Sequence, residues 1–182
     1  MSSLTLPSIA LAVLYGYDTT HLLTSERDPR GKTGSSTYYT DGKLKSVTDA
    51  AGQLTQYAYD VPLRTTTVTM PDGGLVTTIA DSYGLPLSVK DGINRTTAYT
   101  YDGNRNLLTE TNPLGQTTTF TYDANGFKTS LKDPLNNVWS ATFNAVGGPA
   151  AVTNPLSQTQ SVTYDASFNI AAITDPIGAV AA

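Results

Sequence analysis

Carboxylates are the side chains most able to do chemistry in this 182-residue sequence, which has 15 Asp and Glu, one histidine and no cysteine. Asp18, Asp60, Asp81, Asp102, Asp123 and Asp165 form one series, and Asp28, Asp49, Asp91, Asp133 and Asp175 form a second. Two carboxylates in unlike environments can divide general acid and base duties. A group of them could hold calcium, and Asp102-Gly103-Asn104-Arg105-Asn106 begins like an EF-hand loop. The likeness stops there: Leu107 and Pro113 stand where such a loop needs Gly and Glu. Without cysteine there is no thiolate nucleophile, disulfide or Cys-type zinc site. His21 has no Gly-x-Ser-x-Gly partner and reads as an exposed turn residue. A carboxylate that recurs in every stretch of chain is what a turn needs, whereas an active site needs one or two.

The elements that carry these residues repeat with a fixed period. Tyr17, Tyr38, Tyr59, Ala80, Tyr101, Tyr122, Phe143 and Tyr164 stand 21 residues apart without an insertion. The next position is Asp in most copies, with Tyr39 and Asn144 as departures. Eleven residues after the aromatic come Asp28, Asp49, Met70, Asp91, Asn112, Asp133, Asn154 and Asp175, usually followed by proline. Residues 1–16 read as a degenerate N-terminal half-repeat, 17–178 as eight repeats of 21 residues, and 179–182 as a truncated tail.

Each unit holds two turn signals of different chemistry. In Asp123-Ala124-Asn125-Gly126 the Asp can accept from the backbone two residues on, and Gly126 can take φ > 0. Gly42, Gly84 and Gly147 occupy the same place, but His21, Leu63, Arg105 and Phe168 do not, so several copies are expected to turn differently or bear strain. The second turn, as in Asn112-Pro113-Leu114-Gly115, suits a proline-led type I turn. Two tight reversals per unit favour consecutive hairpins over the rival with the same period, a parallel β-solenoid.

The runs between turns read as strands. Phe120 and Tyr122 share one face of such a strand, with Thr119 and Thr121 on the other, and Tyr57 with Tyr59 and Tyr99 with Tyr101 repeat the pair. Successive units are expected to bring these aromatics into contact. In the second strand Val47, Val68, Val89, Leu131, Val152 and Ile173 recur, with Glu26 and Glu110 as exceptions. Leu23, Leu44, Leu107 and Ile170 lie three residues earlier, on the opposite face unless a bulge intervenes, which leaves the buried face open.

Hydrophobic content of 39% and charged content of 14% fall below common soluble averages of roughly 45–50% and about 25%, so the chain is polar without being highly charged. A net charge of −4 and no basic run argue against nucleic acid or an anionic membrane as partner. The apolar start, Leu4 to Tyr15, has no Lys or Arg before it and is too short to span a bilayer. Leu11–Tyr15 reads better as an edge strand than as part of a leader. Trp139 could stack on a sugar, although packing is the plainer role. Asn94-Arg95-Thr96 is a glycosylation sequon, meaningful only in a secreted eukaryotic chain.

The pattern resembles the YD repeats of the RHS family, known from bacterial Rhs toxins and animal teneurins. The resemblance rests on Tyr38…Gly42-x-Leu44…Asp49…Gly52 and on Tyr122-Asp123…Gly126…Asp133-Pro134. It implies an all-β fold of tandem 21-residue hairpins in a curved, spiralling antiparallel sheet that forms part of a hollow shell around a toxic domain. It further implies a non-enzymatic structural module with no cofactor and no metal. Its partners would be the rest of a shell or a toxin domain, with secreted or cell-surface delivery. The alternative is a cell-surface module that binds carbohydrate or protein. Family shells are much longer, and neither their self-cleaving segment nor a toxin follows Gly178. A fragment or truncated member with exposed edges is therefore expected.

Overall fold

The computed structural model describes residues 12–181. The possible leader, most of the 1–16 half-repeat and Ala182 lie outside the described residues, as does Leu11 of the expected edge strand. Among the described residues there are seventeen strands and no helix. The chain divides into two units: one runs to Gly84 and includes Val89–Arg95, and the other holds Leu85–Ser88 and the chain from Thr96 onward.

In the first unit the strands are β1 (Leu14–Tyr17), β2 (Leu23–Arg27), β3 (Thr33–Tyr38), β4 (Leu44–Thr48), β5 (Leu54–Asp60), β6 (Thr65–Thr69) and β7 (Leu75–Ala80). Each pairs antiparallel with the next, which makes the architecture consecutive hairpins and excludes the solenoid. β8 (Pro86–Lys90) has residues in both units. The second unit continues with β9 (Thr96–Tyr101), β10 (Leu107–Thr111), β11 (Thr117–Tyr122), β12 (Lys128–Lys132), β13 (Val138–Phe143), β14 (Pro149–Thr153), β15 (Thr159–Tyr164), β16 (Ile170–Thr174) and β17 (Val180–Ala181). Consecutive strands from β9 to β17 pair antiparallel as well. Thr, Tyr and Val fill these segments because branched and aromatic side chains suit a pleated surface. Pro86 and Pro149 stand first in their strands, where a missing N–H costs least.

The two turns of a unit, expected to differ, are one and the same loop. In the first, Asp123 N donates to Phe127 O and Gly126 N donates to Asp123 O, both at 3.0 Å. In the second, Asp133 N donates to Asn137 O and Asn136 N to Asp133 O, again at 3.0 Å. The fourth residue is left-handed in both, with φ of 84° at Gly126 and 67° at Asn136. Proline is accommodated at the second position and makes no new turn type. His21, Arg105 and Phe168 adopt the same left-handed conformation at 66°, 71° and 63°. Those three copies bear the strain; one other turns differently. After β5 the positive φ falls on Arg64, whose N–H donates to Val61 O, and Asp60 remains in the strand.

A bulge answers which residues share a face. Tyr38 pairs with Leu44 while Thr37 pairs with Ser46, so Lys45 is the extra residue. The same shift occurs where Tyr17, Tyr101, Tyr122, Phe143 and Tyr164 meet the following strand. It puts Leu44 and Val47 on one face, with Tyr38 and Ser36. Only β5 and β6 pair straight, Tyr59 against Thr66 and Tyr57 against Val68, where the turn also departs.

Consecutive aromatic strands are not neighbours. Glu110 of β10 pairs with Tyr99 on one side and Thr118 on the other, so a whole strand separates the tyrosines of successive units. The expected contact along the strands gives way to contacts made from the turns. Tyr39 meets Tyr59 edge-on at 6.0 Å, and Phe127 stacks on Phe143 at 5.1 Å. Phe120 is the single buried residue among the described ones, at 7% exposure, with Leu131 opposite and the Lys128 ammonium 4.4 Å from its ring centre. Each unit is thus a layer one strand thick whose two faces both meet water.

Candidate functional site

The carboxylates expected at turns sit there, and their oxygens are committed to their own backbone. Asp102 Oδ1 accepts from the N–H groups of Asn104 and Asn106 at 2.9 and 2.8 Å, and Oδ2 accepts from Asn106 Nδ2 at 3.0 Å. Asp133 repeats this with Leu135 and Asn137, at 2.8, 2.8 and 2.7 Å. Asp18, Asp28, Asp49, Asp91, Asp123, Asp165 and Asp175 each accept from the residues two and four places on. Asp81 accepts from Tyr83 N at 2.8 Å. Asp60, although in a strand, accepts from Leu63 N at 3.0 Å. Gly42 is the left-handed residue of the turn that Tyr39 begins.

Where the leading carboxylate is missing, another replaces it two residues later. In the turn begun by Tyr39, Asp41 accepts from Lys43 N at 3.1 Å and pairs with its ammonium at 2.5 Å. In the turn begun by Met70, Asp72 accepts from Gly74 N at 2.9 Å. Asn112 and Asn154 do the work of Asp with a neutral amide, each accepting from two backbone N–H groups at 3.0 Å. A role that Asn fills as well as Asp does not depend on charge.

Hydrogen bonding to the ionised form holds several of these acids below their ordinary value of 3.8. The side-chain amide of Asn106 is the main cause for Asp102, and that of Asn137 for Asp133. The backbone N–H groups of Leu22, Lys32, Arg95 and Asn169 lead for Asp18, Asp28, Asp91 and Asp165. Such carboxylates are ionised, hydrogen-bonded and exposed, which is the reverse of a poised general acid. Burial instead raises the Tyr59 and Tyr122 phenols, the latter helped by the nearby Asp102 charge.

No group of three His, Cys, Asp or Glu could hold a metal ion among the described residues. The EF-hand-like run fails for the same local reason: the Asp102 oxygens are turned onto their own loop. His21 lies in the left-handed position of its turn, its N–H donating to Asp18 O at 3.1 Å. Asn94 holds the equivalent position in an exposed turn, at φ 65°. Trp139 pairs with Leu131, which places it on the aromatic face, and is 40% exposed. The surface depressions, such as that between Asp18 and Gly42 and that between Gly115 and Asn136, are open troughs beside successive turns.

Two features of the strands lie beyond the sequence reading. On one face, hydroxyls pair across the ladder: Thr37 with Ser46 and Thr100 with Thr109 at 2.6 Å, and Thr121 with Ser130 at 2.7 Å. At the strand ends, tyrosine hydroxyls donate to the preceding unit: Tyr38 to Leu23 O, Tyr101 to Pro86 O and Tyr164 to Pro149 O. The constant 15-residue separation is the signal that could have exposed the second feature.

The site is therefore the repeat itself: Asx-led turns every ten or eleven residues on a bulged antiparallel ladder. The RHS Repeat family matches residues 38–75, 81–116 and 105–138, together more than half of the chain, and the chain belongs to this family. No curated protein matches it. Among solved structures it is similar to a chain of the TcdB2-TccC3-Cdc42 crystal structure, at 14% identity and a TM-score of 0.50. It is similar too to a chain of TcdB2-TccC3 without its hypervariable C-terminal region, at 15% identity and a TM-score of 0.51. Both likenesses cover 92% of this chain and 12% of the other, so it spans about an eighth of their length and shares their fold.

Proposed function

We propose that this chain is a non-enzymatic structural module, a stretch of wall in an RHS-type shell that surrounds or displays a toxin domain. The observation that supports this reading best is a repeat layer one strand thick with a single buried side chain among the described residues. Such a layer encloses nothing by itself and gains stability chiefly from its neighbours. Committed turn carboxylates leave no acid, base or nucleophile set for catalysis. The TcdB2-TccC3 chains that share the fold are those of a toxin complex named with a hypervariable C-terminal region. The proposed partners are accordingly further shell repeats and a toxin domain, and the whole of residues 17–178 is taken as repeat array.

A wall has an inside and an outside, which gives a direct test. The sequence has no cysteine, so single thiols can be placed on either face. Ala141, opposite Val152, lies on the aromatic face, and Thr142 lies on the hydroxyl face. In the native full-length gene product, a bulky maleimide should label one of the Ala141→Cys and Thr142→Cys variants and spare the other until denaturation. Equal labelling of both in the native protein would overturn the shell reading.

The second reading, a surface module that binds carbohydrate, is favoured by exposed Trp139 on an aromatic-rich face. A glycan array discriminates: specific binding that is lost on Trp139→Ala supports it, and an empty array supports the wall.

A further inference from the structure

The most exposed aliphatic side chains of the second unit form a row. Leu114, Leu135, Leu156 and Ile177 are 83%, 78%, 79% and 89% exposed. Each is the third residue of an Asx-Pro-led turn, and antiparallel alternation puts all four turns on one rim. The turn does not ask for an apolar residue there. What it uses is the backbone N–H, which donates to the leading Asx at 2.8 to 3.0 Å. Equivalent tips of the first unit are Arg30, Ala51 and Asp72, and those on the opposite rim of the second unit are Asn104, Asn125, Val146 and Ser167. One rim alone carries large apolar tips throughout, each preceded by proline.

Exposed aliphatic groups in a row are expected where something covers them. Successive tips are two strand spacings apart, about 9.6 Å. A helix laid along the rim offers an apolar residue every seven positions, about 10.5 Å, and slips by roughly 1 Å at each tip. Another hairpin array has the same period by construction and stays in step along the whole row. We propose that the rim carrying Leu114, Leu135, Leu156 and Ile177 docks against the same rim of a second copy of this chain. The contact is isologous, so it closes at two copies. A strip about 30 Å long and one side chain wide lies at the small end of specific interfaces, so the dimer is weak and concentration-dependent. This inference stands on the rim alone and does not require the shell reading.

Sedimentation velocity over a rising concentration series tests it. The wild-type chain should shift from monomer to dimer. The Leu114→Ser, Leu135→Ser, Leu156→Ser, Ile177→Ser variant should lose that shift while keeping its circular dichroism and unfolding midpoint. Val146→Ser, on the other rim, should associate like wild type. Should the fourfold variant fail to fold, the Leu135→Ser, Leu156→Ser pair serves and should weaken the dimer at least tenfold. A wild-type chain that stays monomeric throughout overturns the proposal. So does a serine variant that associates unchanged, which would place the contact on a sheet edge or face. Binding of the monomer to phosphatidylcholine vesicles, lost in the serine variant, would overturn it in favour of a lipid surface.

Discussion

The hydroxyl of Tyr38 donates to the carbonyl oxygen of Leu23 at 2.7 Å, tying the end of one repeat to the hairpin before it. Tyr101 and Tyr164 make the same bond to Pro86 and Pro149 at 3.0 and 2.9 Å. In a layer with almost no interior, such ties supplement the ladder. Tyr38→Phe keeps the ring and removes the bond, and should cost about 0.5–1.5 kcal/mol in urea unfolding. Tyr164→Phe should cost less, because its bond is exposed whereas that of Tyr38 is part-buried. Indistinguishable wild-type and Tyr38→Phe midpoints would remove the tie from the account.

Left-handed residues with side chains are sites of stored strain. Phe168, at φ 63°, should be improved by glycine. The relief of roughly 1–2 kcal/mol is partly offset by unfolded-state entropy, leaving about 0.5–1 kcal/mol of added stability. Gly147→Ala should act oppositely, by about 1 kcal/mol or more. Its φ is 86°, and an added Cβ would stand 2.5 Å from Cζ of Phe127, whose ring stacks on Phe143. Thermal midpoints that move together in these two variants would contradict the turn geometry.

Acid should loosen the turns in a defined direction. Asp102, Asp133 and Asp165 titrate below 3.8 in the folded chain because their ionised forms accept hydrogen bonds. Their contribution is fully present above the unfolded value and is lost as pH falls through the lower folded values. The unfolding midpoint should thus be flat near neutrality and drop below about pH 4. Replacing all three with Asn, as Asn112 and Asn154 already show to be compatible, should flatten that drop. An acid limb as steep in the triple Asn variant as in wild type would mean that other groups cause it.

A repeat array tolerates loss of a whole period better than a break within a strand. Deleting 117–137 joins Gln116 to Val138 in phase, whereas ten residues inserted after Thr119 interrupt the pairs with Thr109 and Lys132. The deletion should lower the unfolding midpoint less than the insertion does. Equal loss would argue against nearest-neighbour stabilisation.

Much of the fold was legible in the sequence because its signals are local. The 21-residue spacing of Tyr17, Tyr38 and their successors marked the unit, Asp123 to Gly126 marked a reversal, and the alternation of Phe120 and Tyr122 with threonines separated two faces. Each signal depends on side chains within a few residues of one another. The bulge at Lys45 was not legible, since it exists only in the pairing of β3 with β4, where two residues oppose one. Yet that bulge decides that Leu44 and Val47 share a face. Nor could the sequence show that β10 separates Tyr99 from the aromatics of β11, because adjacency in a sheet is set by hydrogen bonding between strands. Leu135 shows the same division: its place in a turn follows from Asp133 and Pro134, while its standing uncovered in a row of like tips was decided only when the hairpins stacked in register.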